Sequence, residues 1–492
     1  MNGASENVSA HEFRGGPGMR HETHVVTFTG APSRRGPATW GQQFNRTRIE
    51  ALGAEGHRYN IVLGGPALEP PPVRSALKML HELLLAHEVL RTTWHEGAGG
   101  LQQVVQAEGR VKVLDCGVEN PEDAEQVTES LRGSLRTRLF DSERELPIRC
   151  AFVTHGERVL HTIVVVSHLA LDGVSAQLLT TEIQGLGRLK EGDQSHDVER
   201  LGRRGSIDGP SVRWQPIDEA EYQCSPEGAR QDERVRERLI TRITAAGSPI
   251  LRARRRPRNG RFERLVLRSS RLKLAAAAIS VAHGMTPATT LLAAAATSFA
   301  AATGRDSVAM RILVSNRFRP ELAQLMSPVA MDTLFALGEI RPESDFLTTA
   351  KRAWKAAMIA YRSAYYNPTL LHEQLSNADS IVFDEALRYN DHLGVGADSW
   401  DRWPDASDGV VAWSPSPSLQ PDGRALYLHV HDSGDAIVLE LIADTGRIEA
   451  ETAERLLYRI VESVESAASA AEHHQDQNPH QPDRAHQPRS TQ

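Results

Sequence analysis

Cysteine is nearly absent: Cys116, Cys150 and Cys224 are the only three in 492 residues. They lie far apart, and no two have the spacing of a metal-ligand pair. That excludes a disulfide scaffold and fits a reducing compartment. Aromatics are sparse at 5%, and Ala-rich runs fill part of the 40% hydrophobic share. Neither charge sign dominates, since 56 Lys and Arg against 63 Asp and Glu leave a net charge of -7. Bulk attraction to nucleic acid or an anionic membrane is therefore not expected. Long apolar runs are missing too. The most apolar stretch, residues 291–302, is short, Ala-dominated and followed by Thr303, Gly304, Arg305 and Asp306, so it reads as a buried helix rather than a membrane span. The segment from Met1 to Gly18 lacks the apolar core of a signal peptide. A cytoplasmic protein is expected. Gly 37 and Pro 26 are near average usage, which excludes a fibrous or wholly disordered chain.

What is present is a long alternation of strand and helix patterns. The length predicts two lobes of roughly 200 residues each. Residues 1–20 and 467–492 read as disordered extensions. The second contains His473, His474, His480 and His486 at irregular spacing without acidic or thiol co-ligands, so no metal site is expected there. A first lobe is expected over 21–189, a polar linker over 190–229 and a second lobe over 230–466. Strands are predicted at 25–30, in the paired segment 105–115, and on either side of a turn at His155 and Gly156. Helices are predicted over 39–52, from Pro72, over 122–139 and over 172–186. In the second lobe Gly284 ends one helix, and Thr286 with Pro287 opens the next. Asp345 to Tyr361 reads as a helix with Trp354 on its apolar side. Residues 427–444 read as a hairpin turned at Asp432 to Asp435, and Glu449 to Val464 as the last helix.

The sharpest feature spans 161–175. A Val-rich strand ends at His168, and Asp172 and Gly173 follow before a helix. Gly173 permits a tight turn and close backbone approach. An imidazole at the end of a rigid element can take the proton from an attacking amine or hydroxyl. A histidine at a strand end is also a common structural placement, and this chain has 20 histidines. Asp172 has two readings: it orients His168, or it is a buried anion paired with an arginine. There is no Gly-x-Ser-x-Gly elbow, no HExxH, no P-loop and no dinucleotide fingerprint. Serine-hydrolase and metal-hydrolysis chemistry are thus unsupported, and no metal site is expected.

Ser167 to Gly173 resembles the His-His-x-x-x-Asp-Gly signature of the condensation domains of nonribosomal peptide synthesis, in the chloramphenicol-acetyltransferase-like superfamily. Other matches fall in order. Thr39 to Gln42 resembles the family's opening helix, and His87 to Trp94 its Arg-His-Glu-x-Leu-Arg-Thr-x-Phe segment. Phe140 and Asp141, with Pro147 and Ile148, resemble the run before the core strand. Gly284 to Pro287 and Asn316 to Leu322 follow in the second half, with Asp444 and Thr445 in the expected late strand. The resemblance covers roughly 25–465. It implies an α/β fold of two chloramphenicol-acetyltransferase-like lobes in a V-shaped pseudo-dimer with an active-site tunnel between them. It implies His168 as the residue that deprotonates or positions the acceptor, with backbone donors near Gly173 meeting the oxyanion. It also implies a structural salt bridge from Asp172, with Arg317 as first candidate and Arg311 as second.

Three departures stand out. Ser167 replaces the signature's first histidine. Val174 follows the glycine where an aromatic is common. Asp332 stands where the family's Phe-Val-Asn-Thr segment has asparagine. All three are candidate tunnel residues. The resemblance implies no intrinsic cofactor. The donor arrives as a thioester on the phosphopantetheine arm of an acyl or peptidyl carrier protein, and a small-molecule amine or hydroxyl accepts it in natural-product biosynthesis. The length leaves no room for an adenylation or carrier module, so a free-standing enzyme is expected. The arginine-rich segment 252–258 is a candidate carrier-docking patch or a solvated linker, and weak evidence for nucleic acid. Two other readings are kept: a catalytically inactive docking protein, and an acyltransferase using coenzyme A thioesters.

Overall fold

A computed structural model describes residues 20–186, 213–246, 262–341, 345–376, 387–393, 407–415 and 426–476. Strands β1 (Arg20–Phe28), β3 (Asn60–Pro66), β6 (Gly109–Gly117), β7 (Ile148–His155) and β8 (Arg158–Ser167) form one sheet in the order β1-β6-β7-β8-β3. Helices α2 (Val73–Ala86) and α4 (Gly173–Leu186) cover one face, and α3 (Ala124–Arg136) covers the other. The Ile-Val-Val-Val run of β8 follows from this: Val164 and Val166 pack with α2 and α4, while Ile163 and Val165 pack with α3. A strand buried on both faces loses polar alternation. A small sheet joins β2 (Arg34–Pro37), β4 (Thr92–Gly97) and β5 (Gly100–Val105) in the order β2-β5-β4.

The second lobe is built on β9 (Phe262–Ser269), β10 (Val308–Val314), β11 (Met331–Leu337), β12 (Arg388–His392), β13 (Val411–Pro415), β14 (Leu426–Asp432) and β15 (Ile437–Asp444). Their order is β11-β10-β12-β14-β15-β9-β13. One face packs on α7 (Ser270–His283), α8 (Pro287–Thr303), α10 (Phe346–Tyr361) and α12 (Ala450–Asp476), while the short α9 (Pro320–Ala323) and α11 (Pro368–Ser376) fall between them in the chain. Leu265, Leu267, Tyr389, Leu428, Val430, Leu439 and Leu441 point that way. Residues of the opposite parity, including Arg264, Arg388, Asn390, His429 and Glu440, face the other side. Leu291 to Ala296 of α8 are all buried, so its Ala-rich stretch is an interior helix. No helix among the described residues is long and apolar enough to cross a membrane.

Several expectations are corrected. Residues 105–115 are not one paired unit, because β5 pairs with β2 and β4 while β6 pairs with β1 and β7. The expected linker is partly helical: α5 (Pro216–Cys224) and the start of α6 (Pro226–Ala246) lie inside it. Pro216 opens α5, and Gln215 and Asp218 cap it reciprocally. Trp354 is 49% exposed, and the buried stripe of α10 is Ala350, Ala353, Ala357 and Ala360. The small alanines, not the indole, face the core. The last helix continues to Asp476. Residues 1–19 and 477–492, and the arginine-rich 252–258, lie outside the described residues.

Helix α1 (Trp40–Ala51) joins the lobes. Thr39 caps it in a reciprocal box with Gln42. A Cβ on Gly41 would stand 2.0 Å from the Pro328 carbonyl oxygen of the second lobe, so only glycine admits that approach. Gly41→Ala is expected to cost about 1–3 kcal/mol as an overpacked contact. Calorimetry checks this, and an unchanged melting temperature would contradict the close packing.

Candidate active site

His168 sits one residue past β8, half-buried. Its Nδ1 lies 3.0 Å from the Asn45 side-chain nitrogen, which also donates to the His168 carbonyl at 2.8 Å. An amide nitrogen only donates, so this contact is a hydrogen bond when Nδ1 is unprotonated and Nε2 carries the proton. The Tyr59 ring is 5.6 Å away, centroid to centroid. Burial is the main influence holding the imidazole below the usual histidine range. The Asp172 carboxylate and the carbonyls of His168 and Leu171 pull the other way, and Arg48 reinforces the lowering. The ring is therefore neutral near pH 7, the form that can accept a proton.

Asp172 is a structural anion. Its Oδ1 accepts from Ser175 N at 2.8 Å, Ser175 Oγ at 2.7 Å and Arg317 at 3.0 Å. Its Oδ2 accepts from the backbone of Val329 at 2.9 Å and Ala330 at 3.1 Å. Burial alone would raise its pKa; Arg317 and these hydrogen bonds outweigh burial and hold the carboxyl below its ordinary value. Arg317 is fixed further by the carbonyls of Leu322, Leu325 and Ser327. The other arginine candidate, Arg311, pairs with Asp332 at 2.7 Å instead.

Asp332 is not a surface of open space. It has no exposed area and is ringed by Arg48 at 2.8 Å, Arg311 at 2.7 Å and Arg388 at 2.5 Å. Tyr366 donates to its carbonyl at 2.8 Å. Arg48 comes from α1, so this ion-pair hub is a second tie between the lobes. Ser167 is buried, and its Oγ accepts from Leu169 N at 3.3 Å. Val174 is half-buried in the first turn of α4. Gly173 needs correction. Its φ is not positive, and a Cβ there would meet no heavy atom within 4 Å. Neither the turn nor the packing requires glycine, and its α-carbon faces open space.

Asn45 and Arg48 were not read from the sequence as site residues. With Gly41 they form an i, i+4, i+7 stripe on α1, and that spacing was the available signal.

A family model described as Condensation domain matches residues 57–199, a stretch that contains His168, Asp172 and Gly173. Residues 57–199 are thus similar to a condensation domain. A 254-residue stretch is 27% identical to nonribosomal peptide synthetase kk1B of Curvularia clavata, covering 50% of this chain and 2% of that one. The solved epimerization domain from the third module of tyrocidine synthetase B superposes with a TM-score of 0.64 at 14% identity, over 90% of this chain and 98% of that one. The condensation domain that mediates chain release from the enacyloxin polyketide synthase gives 0.63 at 16%, over 95% and 86%. The SgcC5 protein from Streptomyces globisporus gives 0.60 at 15%, over 88% and 99%. An epimerization domain and condensation domains share this fold, so the reaction has to be argued from the site.

Proposed function

We propose that this chain transfers an acyl or aminoacyl group from a carrier-protein thioester to an amine or hydroxyl acceptor, in an active-site tunnel between the V-shaped pair of lobes. The observation that carries the reading is His168: a neutral, half-buried imidazole at the end of a central strand, held by Asn45 and set beside Gly173, whose α-carbon faces open space. The acceptor approaches the thioester carbonyl beside this ring. With Nδ1 bonded to Asn45, the ring presents Nε2–H and orients an acceptor lone pair or the thioester oxygen. With the proton on Nδ1, Nε2 is the base that takes the acceptor's proton. The new carbon–nitrogen or carbon–oxygen bond forms as the carbon–sulfur bond breaks, and the thiol leaves on the carrier arm. The thioester holds the energy, so no nucleotide and no intrinsic cofactor take part. Backbone donors near Gly173 meet the oxyanion.

The test is intact-mass analysis of a panel of acyl-loaded carrier proteins incubated with the chain and an amine or alcohol. Acceptor-dependent loss of acyl group from the carrier, with matching gain on the acceptor, is expected. No acceptor-dependent loss would sink the reading in favour of a docking protein. Equal rates from carrier and free coenzyme A thioesters would replace it with a coenzyme A-dependent acyltransferase.

A further inference from the structure

The face of the second sheet opposite its covering helices carries a cluster that this chemistry does not use. His392 on β12 and His431 on β14 are cross-strand partners, and His429 lies two residues earlier on β14. A two-residue step keeps a side chain on the same face, and neighbouring strands lie about 4.8 Å apart. Three imidazoles therefore converge. Each offers one ring nitrogen within 4.8 Å of the others. His392 and His431 are buried, and His429 is half-buried.

We propose that His392, His429 and His431 form a three-imidazole site for a divalent transition-metal ion of the zinc class. The rings are stacked with nearly parallel planes, at interplanar angles of 14°, 12° and 17° and centroids 5.2, 4.8 and 5.8 Å apart, so binding turns them about χ2 to aim a nitrogen lone pair at their common centre. Those three centroids lie on a circle of radius about 3.1 Å, and an ion bound to an imidazole nitrogen at about 2.0–2.1 Å sits about 3.2 Å from the ring centroid. His392 Nε2 and His429 Nδ1 already face each other at 2.9 Å. Tetrahedral zinc places its nitrogens about 3.3 Å apart, so that pair opens by a few tenths of an ångström. The widest pair closes by ring rotation, because χ2 of histidine is broad. Glu440 Oε2 lies 3.5 Å from His431 Nε2, where a carboxylate can orient a ligating imidazole. The nearby arginines are offset: Arg264 sits on Glu440 at 2.5 Å and Arg388 on Asp332 at 2.5 Å. Nitrogen-only ligation favours zinc, copper, nickel or cobalt over magnesium or calcium. The site binds β12 to β14. A sequence scan for two-cysteine pairs and HExxH passes over it, because its ligands are a His-x-His on one strand and a histidine 37 residues before His429.

The test needs no acyl transfer. The full chain is stripped with EDTA and titrated with Co2+ alone as an optical probe. One equivalent is expected to give a visible absorption band that one equivalent of Zn2+ removes. His392→Asn and His429→Asn are each expected to weaken binding at least 10-fold. No band, or a band unchanged in both variants and so belonging to other histidines such as those of the 467–492 segment, overturns the proposal. Where a variant does not fold, anomalous diffraction from wild-type crystals soaked in ZnCl2 decides. A peak between the three rings supports the site, and its absence overturns it.

Discussion

His168→Ala is expected to lower the rate of acyl transfer by about 10²- to 10⁴-fold, the range for removing a positioned acid or base. The fold should survive, since the ring is half-buried and Asn45 is the side chain bonded to it. Circular dichroism and the melting temperature should stay close to wild type. A full rate in the variant would remove His168 from the chemistry and leave substrate positioning as the only role of the site. The pH profile gives an independent reading. A base must be unprotonated, so the rate rises with pH through the ring's pKa and then levels. Burial lowers that pKa below its ordinary 6.5, so the acid limb of the profile should lie below pH 6.5.

Asp172→Ala should fail for a different reason. It would leave Arg317 without its carboxylate and the Val329 and Ala330 N–H groups without their acceptor, all inside the protein. Breaking a buried pair in this way costs about 3–5 kcal/mol, a large part of the 5–15 kcal/mol that holds a typical domain together. Low soluble yield or a sharply lowered melting temperature is expected, with Asp172→Asn intermediate because it keeps the shape and loses the charge. The carboxyl's pKa is depressed in the folded chain. Its contribution is therefore complete above the unfolded value of about 3.9 and is lost as pH falls through the lower folded value. Wild type should lose stability in that acid window more steeply than Asp172→Asn. Parallel acid titrations of the two proteins would expose the opposite order.

Much of the architecture was legible because single segments carried it. The buried strand ending at His168, the caps at Thr39 and Thr286, and the left-handed Gly284 are local signals. The parts that escaped depend on which distant segments meet. That 105–115 divides between two sheets is set by partners at β2 and β1, not by its own pattern. The outward turn of Trp354 reflects alanines packing closely around α8. Asp332 looked like a changed tunnel residue because the sequence hides its three arginines, one 284 residues away. Gly173 looked like a turn glycine because the motif places it at a turn, whereas its backbone is ordinary and its surroundings are empty.

The Asp172 clamp changes what the signature reports in any chain that carries it on this framework. The aspartate fastens the start of α4 to the segment leading into β11, and that duty persists whether or not acyl transfer takes place. A descendant that abandoned chemistry would still need the acid to stay folded, yet would be free to discard the imidazole. Of the two ends of the motif, only the histidine distinguishes a working enzyme from a retired one.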